Sequence, residues 1–305
     1  MRVIVFAGGF NLPIWVAQEQ GFFARENITV ELTPTPGSVY QMTHLISGEF
    51  DIAHTAMDNV VAYAEGEGEV PVEGQPDLVA FIGGDNGFLR LISRPEIHTY
   101  ADLKGKQLAV DAVTTGYAFV LRKMLEVNGL REEDYTVVPA GGVQQRWQAL
   151  LKGEYAGTLL ISPFEVLAQQ QGCNLLGSAV DVLGRYQGLV GATRRSWASP
   201  HRDELVGYIR AYIAALDWLY EPAHREGALK LLMIHANMAP ALAAEAYRVL
   251  VDPVRGFTPG ARLDSEGIQR LLALRSQYAP SHRTLRDPAK YVVLEYYGQA
   301  MGKEP

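Results

Sequence analysis

Short runs of consecutive apolar residues, each followed by a turn and then a segment of helical periodicity, recur along the first two thirds of the chain. Buried parallel strands read as continuous β-branched and aliphatic runs, and helices between them cover both faces of the sheet. The pattern predicts strands at 3–6, 28–32, 50–53 and 78–82, then at 88–93, 107–111, 135–139, 157–161 and 189–193. A helix opens at Asn11, carries Pro13 in its first turn and stops at Gly21; another opens at Ser38 and stops at Gly48. A third follows residues 54–59. In the second set, a short helical turn at 100–103 precedes a strand. The turn 113–116 opens a helix that runs to Asn128, with Gly129 as its stop, and 143–151 forms a further helix. From 193 to 299 the pattern is almost wholly helical. Strand and helix alternating in this way predict an α/β fold with mostly parallel sheets.

A weak internal repeat organises these elements. Leu45-Ile46-Ser47-Gly48-Glu49-Phe50-Asp51 is echoed by Leu150-Leu151-Lys152-Gly153-Glu154-Tyr155-Ala156. Each reads as a helix end, a glycine stop, an acidic residue, an aromatic and a strand. The surrounding element order is the same in both places. Two similar lobes, the second inserted into the first, account for this: lobe 1 from 1–86 and 188–305, lobe 2 from 87–187. A chain of 305 residues is also long for one core and suits two.

Composition narrows the function. Hydrophobic residues make up 48%, with 4 Trp, 15 Tyr and 10 Phe, a globular mixture. Net charge is −7, which provides no pull toward nucleic acid. No apolar run approaches the roughly 20 residues of a membrane span. The one cysteine, Cys173, excludes an internal disulfide, a cysteine-based zinc site and a CxxC redox pair, and reads as a small buried apolar residue. Phosphate-loop, nucleophile-elbow and HExxH patterns are all missing from the sequence. No signal peptide is legible ahead of the first strand. The expected place is therefore periplasmic or lipid-anchored and extracellular if a leader has been removed from the numbered chain, and cytoplasmic otherwise.

The opening Asn11-Leu12-Pro13-Ile14-Trp15-Val16-Ala17-Gln18-Glu19-Gln20-Gly21-Phe22-Phe23 resembles that of the solute-binding proteins for taurine, alkanesulfonates and the thiamine pyrimidine precursor. Gly37-Ser38, the 45–53 segment and Asp102-Leu103-Lys104-Gly105-Lys106-Gln107-Leu108-Ala109-Val110 continue the likeness at that family's spacing, over about residues 3–165. The turn Val113-Thr114-Thr115-Gly116-Tyr117 and Ala156 depart from it. The resemblance implies a type II periplasmic-binding-protein fold whose lobes close by hinge motion on one small molecule. It also implies transient docking on the membrane permease of an ABC importer, with a monomeric protein, no cofactor, no metal and no catalysis. Two rivals remain on the same fold, a cytosolic enzyme of the thiamine-precursor or menaquinone-pathway kind and a ligand-sensing domain.

Ligands of open α/β sheets bind beyond the carboxyl ends of the strands, where helix N-termini gather. The turns 8–11, 37–38, 54–58 and 114–116 all follow a strand and open a helix, and are expected to face one cleft. Candidate ligand contacts are Phe10, Asn11, Ser38, His54, Thr55, Asp58, Arg90, Thr114, Thr115, Gly116, Tyr117 and Glu165. Each also has a plainer role. Asn11, Ser38 and the two threonines are helix caps, Phe10 and Tyr117 are packing rings, and His44 and His54 are structural histidines without metal-ligand company. Arg90 lies in an apolar strand and needs an anionic partner, either a ligand or a cleft carboxylate. Hydroxyls and helix ends put an acid, such as a sulfonate or carboxylate, first among ligands. Asp58 and the aromatics put a nitrogen heterocycle second.

Overall fold

The computed structural model describes residues 1–302. In chain order the strands are β1 (Arg2–Val5), β2 (Glu31–Pro34), β3 (Ile52–Ala56), β4 (Leu78–Gly83), β5 (Arg90–Ser93), β6 (Gln107–Val110), β7 (Thr136–Pro139), β8 (Gly157–Leu160), β9 (Asn174–Ser178) and β10 (Leu189–Arg194). The helices are α1 (Leu12–Glu19), α2 (Phe22–Arg25), α3 (Ser38–Ser47), α4 (Met57–Ala64), α5 (Gly116–Val127), α6 (Val143–Leu151) and α7 (Phe164–Gln170). They continue with α8 (Ala179–Leu183), α9 (Arg195–Ala198), α10 (Arg202–Tyr220), α11 (Arg225–His235), α12 (Pro240–Leu250), α13 (Ser265–Tyr278) and α14 (Glu295–Ala300). Among the described residues no single helix is long and apolar enough to cross a membrane.

Two compact units form. Unit 1 takes Met1–Asn86, Gln187–Ser265 and the chain from Asp287 onward; unit 2 takes Gly87–Tyr186 and Glu266–Arg286. The tail therefore does not all return to the first unit, as the sequence reading had it. Residues 266–286 pack on unit 2. There the Arg275 guanidinium lies 5.3 Å over the Phe119 ring and donates to the Thr114 carbonyl at 3.2 Å. Gln277 and Tyr278 both donate to the Glu126 carboxylate. An amphipathic helix advertises that it has a buried face, not which core that face meets.

The sheet of unit 1 has the order β2-β1-β3-β10-β4, with β10 antiparallel to both neighbours and β1, β2 and β3 parallel. The sheet of unit 2 has the order β7-β6-β8-β5-β9, with β5 antiparallel to β8 and β9. Each is a parallel sheet with one reversed strand. Val3, Ile4 and Val5 of β1 and all six residues of β4 are buried, as strands covered on both faces must be. β2 starts later than its apolar run suggests. The Ile28 N–H bonds back to Phe23 O at 3.0 Å, so residues 28–30 finish a helix-end turn before the ladder begins at Glu31. β5 is likewise shorter than residues 88–93, beginning at Arg90.

The repeated heptads fall at corresponding places. Gly48 ends α3 at φ 87° and Gly153 follows α6 at φ 76°, the left-handed region that favours glycine. Glu49 N–H bonds to His44 O, and Glu154 N–H to Ala149 O, both at 3.0 Å. The next strand begins after each. The correspondence reaches the helix interiors. Gln41 on α3 donates to the Ile4 and His54 carbonyls of β1 and β3. Arg146, at the matching position of α6, donates to the Leu159 carbonyl of β8. One buried polar side chain in each unit thus ties a helix to the sheet beneath it.

Candidate functional site

In unit 1 the carboxyl ends of β1, β2, β3 and β4 lie on one edge, because these strands run the same way. The turns leaving them carry Phe10 and Asn11, then Gly37 and Ser38, then Met57 and Asp58, and finally Asp85. The edge therefore gathers the sequence candidates Phe10, Asn11, Ser38 and Asp58. Phe10, Asn11 and Asp58 are buried, the last at 1% exposure.

The local roles differ from the expected ones. Asn11 precedes α1 but makes no capping bond. Its Nδ2 donates to Phe6 O at 2.7 Å, while its Oδ1 is buried with no partner among the described residues. Ser38 is the first residue of α3 and not its cap, since Gly37 takes that position, tied to the Thr35 hydroxyl. His54 and Thr55 are held in the core. The His54 ring bonds the Tyr208 hydroxyl at 2.8 Å and lies 5.3 Å from the Tyr212 ring, and burial pushes its pKa down to about 3. Thr55, fully buried, accepts from Asn59 Nδ2 at 2.9 Å. His44, half-buried on α3, stacks on Tyr40 at 3.7 Å. Asp85 went unnoticed in the sequence. It is 1% exposed, and its Oδ1 accepts the Leu189 N–H at 3.3 Å.

In unit 2 the same edge is formed by the carboxyl ends of β6, β7 and β8 and, because β5 is reversed, by its amino end. It gathers Arg90, Thr114, Thr115, Gly116, Tyr117 and Glu165. Thr115 is the cap of α5: its hydroxyl accepts the Ala118 N–H at 3.4 Å and lies 2.8 Å from Asp111 Oδ1. Gly116 is the first, buried residue of that helix. Arg90 has found a carboxylate partner. Its Nη1 donates to Glu165 Oε1 at 3.3 Å and to Phe88 O at 3.2 Å. Glu165 stands in the first turn of α7 at 1% exposure. Burial raises its carboxyl above the usual carboxylate range, and Arg90 works against that rise.

Arg146 was also missed. It is 4% exposed, with Nη1 on Gly141 O at 2.6 Å, Nη2 on Leu159 O at 3.3 Å and Nε on the Thr158 hydroxyl at 3.1 Å. In sequence it reads as one polar residue on an amphipathic helix, and only its repeat partner Gln41 hints that it faces inward.

A groove of about 450 Å³ opens at the opposite, amino-terminal edge of unit 1, lined by Arg2, Asn27, Asp51, Arg194, Trp197 and His201. None of the strand-end turns lines it. Among the described residues no group of three or more His, Cys, Asp or Glu is placed to hold a metal ion.

The chain matches the family model described as NMT1/THI5 like over residues 11–224, more than half its length. No curated protein sequence matches it. Many solved structures do. The periplasmic nitrate-binding protein NrtA from Synechocystis PCC 6803 is similar at TM-score 0.81 and 12% identity, covering 99% of this chain and 88% of that one. The alkanesulfonate-binding protein SsuA from Xanthomonas axonopodis pv. citri, bound to MOPS, is similar at TM-score 0.76 and 18% identity, covering 96% and 98%. A Candida albicans protein described as having the generic periplasmic binding protein fold is similar at TM-score 0.71 and 14% identity, covering 96% and 95%. At these identities the likeness establishes the fold, the periplasmic-binding-protein fold that the element order implied. The length of the family match establishes more: the chain belongs to the NMT1/THI5-like family.

Proposed function

We propose that this chain is the solute-binding component of an ABC importer, which captures one small polar or aromatic organic molecule and does no chemistry on it. The observation that carries the reading is the pair of strand-end edges, one in each unit. Each assembles helix starts and buried polar side chains from turns far apart in sequence, on a member of the NMT1/THI5-like family. Phe10, Asn11, Ser38 and Asp58 are the contacts proposed for unit 1; Arg90, Thr114, Thr115, Gly116, Tyr117 and Glu165 are those proposed for unit 2. His54 and Thr55 support that edge from within the core, and do not touch ligand. Bound solute favours the form that a membrane permease recognises, so transport follows from a shift in population and needs no turnover. The proposed protein is a monomer that works in the periplasm or anchored outside the cell; the periplasm is the compartment named for the Synechocystis protein.

Native mass spectrometry of freshly purified protein tests this. The expected spectrum shows one retained small molecule per chain, released unchanged on denaturation. A solute recovered in chemically altered form after incubation with pure protein would replace capture by catalysis.

A further inference from the structure

We propose that the groove at the amino-terminal edge of unit 1 is a second small-molecule site, which takes an organic anion, a carboxylate or phosphate, on the guanidinium of Arg194. It lies at the opposite edge from the strand-end turns and stands whether or not those turns hold a solute. Every residue lining it belongs to unit 1, so the site is complete within one unit.

Both carboxylates in the groove are already taken by donors of their own. Asp51 accepts the Arg2 backbone N–H on Oδ2 at 2.7 Å and the Arg2 guanidinium on Oδ1 at 3.1 Å. Arg2 also donates to Gly48 O at 3.0 Å. Glu204 is bound by the His201 ring at 2.5 Å. Arg194 stands apart from these pairs. It is the last residue of β10 and half-buried. No hydrogen bond or ion pair reaches its guanidinium among the described residues, and its Nε is buried without an acceptor. A partly desolvated cation that no carboxylate meets carries a cost that an anion removes.

The backbone seats Arg194 for this task. Gly48 ends α3 at φ 87°, and a Cβ built on it would lie 3.2, 3.3 and 3.4 Å from Nη1, Nη2 and Cζ of Arg194. Near-equal distances to these three atoms put Gly48 over the flat face of the guanidinium. Glycine at this position therefore serves the close approach of Arg194 as well as the left-handed turn. With its face against the backbone, the guanidinium keeps its edge for binding. Paired N–H groups along that edge match two oxygens of a carboxylate or phosphate.

The rest of the groove suits more than a bare ion. Its volume of about 450 Å³ falls within the roughly 300–1,000 Å³ of small-molecule sites. Trp197 and His201, stacked at 4.8 Å with planes 14° apart, line it with ring surface that an apolar or aromatic body can cover.

The test follows the indole N–H signals of the 4 tryptophans by NMR. The Trp197 signal is assigned by its loss in Trp197→Phe. Benzoate and phenyl phosphate are titrated beside benzamide and benzamidine, neutral and cationic probes of similar size. The expected result is a saturable shift of the Trp197 signal with the two anions and none with the controls. Arg194→Gln weakens that binding at least about tenfold, and Arg194→Lys, which keeps the charge and loses the fork, weakens it less. If Arg194→Gln does not fold, Arg194→Lys and the wild-type titration carry the test. The tighter of the two anions names the head group. A Trp197 signal that neither anion moves overturns the proposal, as does equal anion affinity in wild type and Arg194→Gln. A response to benzamide or benzamidine as strong as that to the anions overturns it too. Shifts confined to Trp15, Trp147 or Trp218 place the anion elsewhere and overturn the groove assignment, while solute capture is decided separately by the native mass spectrum.

Discussion

At the scale of single residues, His54 and Thr115 make distinct predictions. His54 titrates near 6.5 when free and near 3 in the folded protein, because burial disfavours the imidazolium. The unfolded chain thus takes up a proton that the folded chain refuses. The stability tied to the neutral ring is whole above pH 6.5 and is lost progressively as pH falls from 6.5 toward 3. Between pH 7 and 4.5 this one group is expected to cost about 2.5 kcal/mol. His54→Gln, which keeps a polar partner for Tyr208, flattens that part of the curve. Urea midpoints of the two proteins at the two pH values measure the difference, and parallel curves would show that His54 is not the responsible group. Thr115 tests a different point. Its hydroxyl is engaged in the α5 cap, so Thr115→Val is expected to cost about 1 kcal/mol and lower the melting temperature by roughly 2–4 °C. The ligand contact proposed for Thr115 is made by its backbone N–H, which the substitution keeps, so solute affinity should move less than tenfold. A large loss of affinity without loss of stability would return that hydroxyl to the ligand. The cap was legible, since a threonine before a helical pattern is a local signal. The inward turn of Arg146 was not, because it depends on carbonyls of β8 that no local pattern displays.

At the scale of elements, the strands and first helices were readable wherever a continuous apolar run met a glycine stop, as at β1, α3 and α5. The errors came from longer range. β2 begins late because a turn hydrogen bond competes with the ladder, and α13 packs on a core other than the one assigned to it. Arg275, 2% exposed, is one of the buried residues by which α13 packs on unit 2, beside Ile268, Leu271, Leu272 and Leu274. Arg275→Ala removes the hydrogen bond to the Thr114 carbonyl and the contact with the Phe119 ring. The expected cost is about 2–4 kcal/mol. Hydrogen exchange should quicken in α5 while β4 in the other unit stays protected. Equal acceleration in both would mean that the two units unfold as one.

At the scale of the molecule, the order of strands and helices carried the fold class, and the internal repeat carried the existence of two units. The residues at each edge were largely legible because they sit in turns that open helices. Asp85 and Arg146 were not, since their partners are backbone groups that come within reach only in the folded chain. Unit 2 gives the prediction at this scale. Residues 87–186 expressed alone lack α13, whereas 87–186 joined by a short linker to 266–286 hold every segment of the unit. Only the joined form is expected to melt cooperatively in calorimetry. Cooperative melting of 87–186 alone would make α13 an accessory.

The place of β10 in its sheet has a consequence for the order in which the protein is made. β10 lies between β3 and β4, yet it leaves the ribosome about a hundred residues after β4. At ordinary rates of synthesis of about 5–20 residues per second, the apolar edges of β3 and β4 wait roughly 5–20 seconds for the strand that joins them. During that time the whole second unit except its last helix emerges and can begin to fold. The amino-terminal half of the molecule is thus completed after the middle, and nascent chains stalled before residue 189 should expose two unpaired strand edges to any chaperone or export factor that reads them.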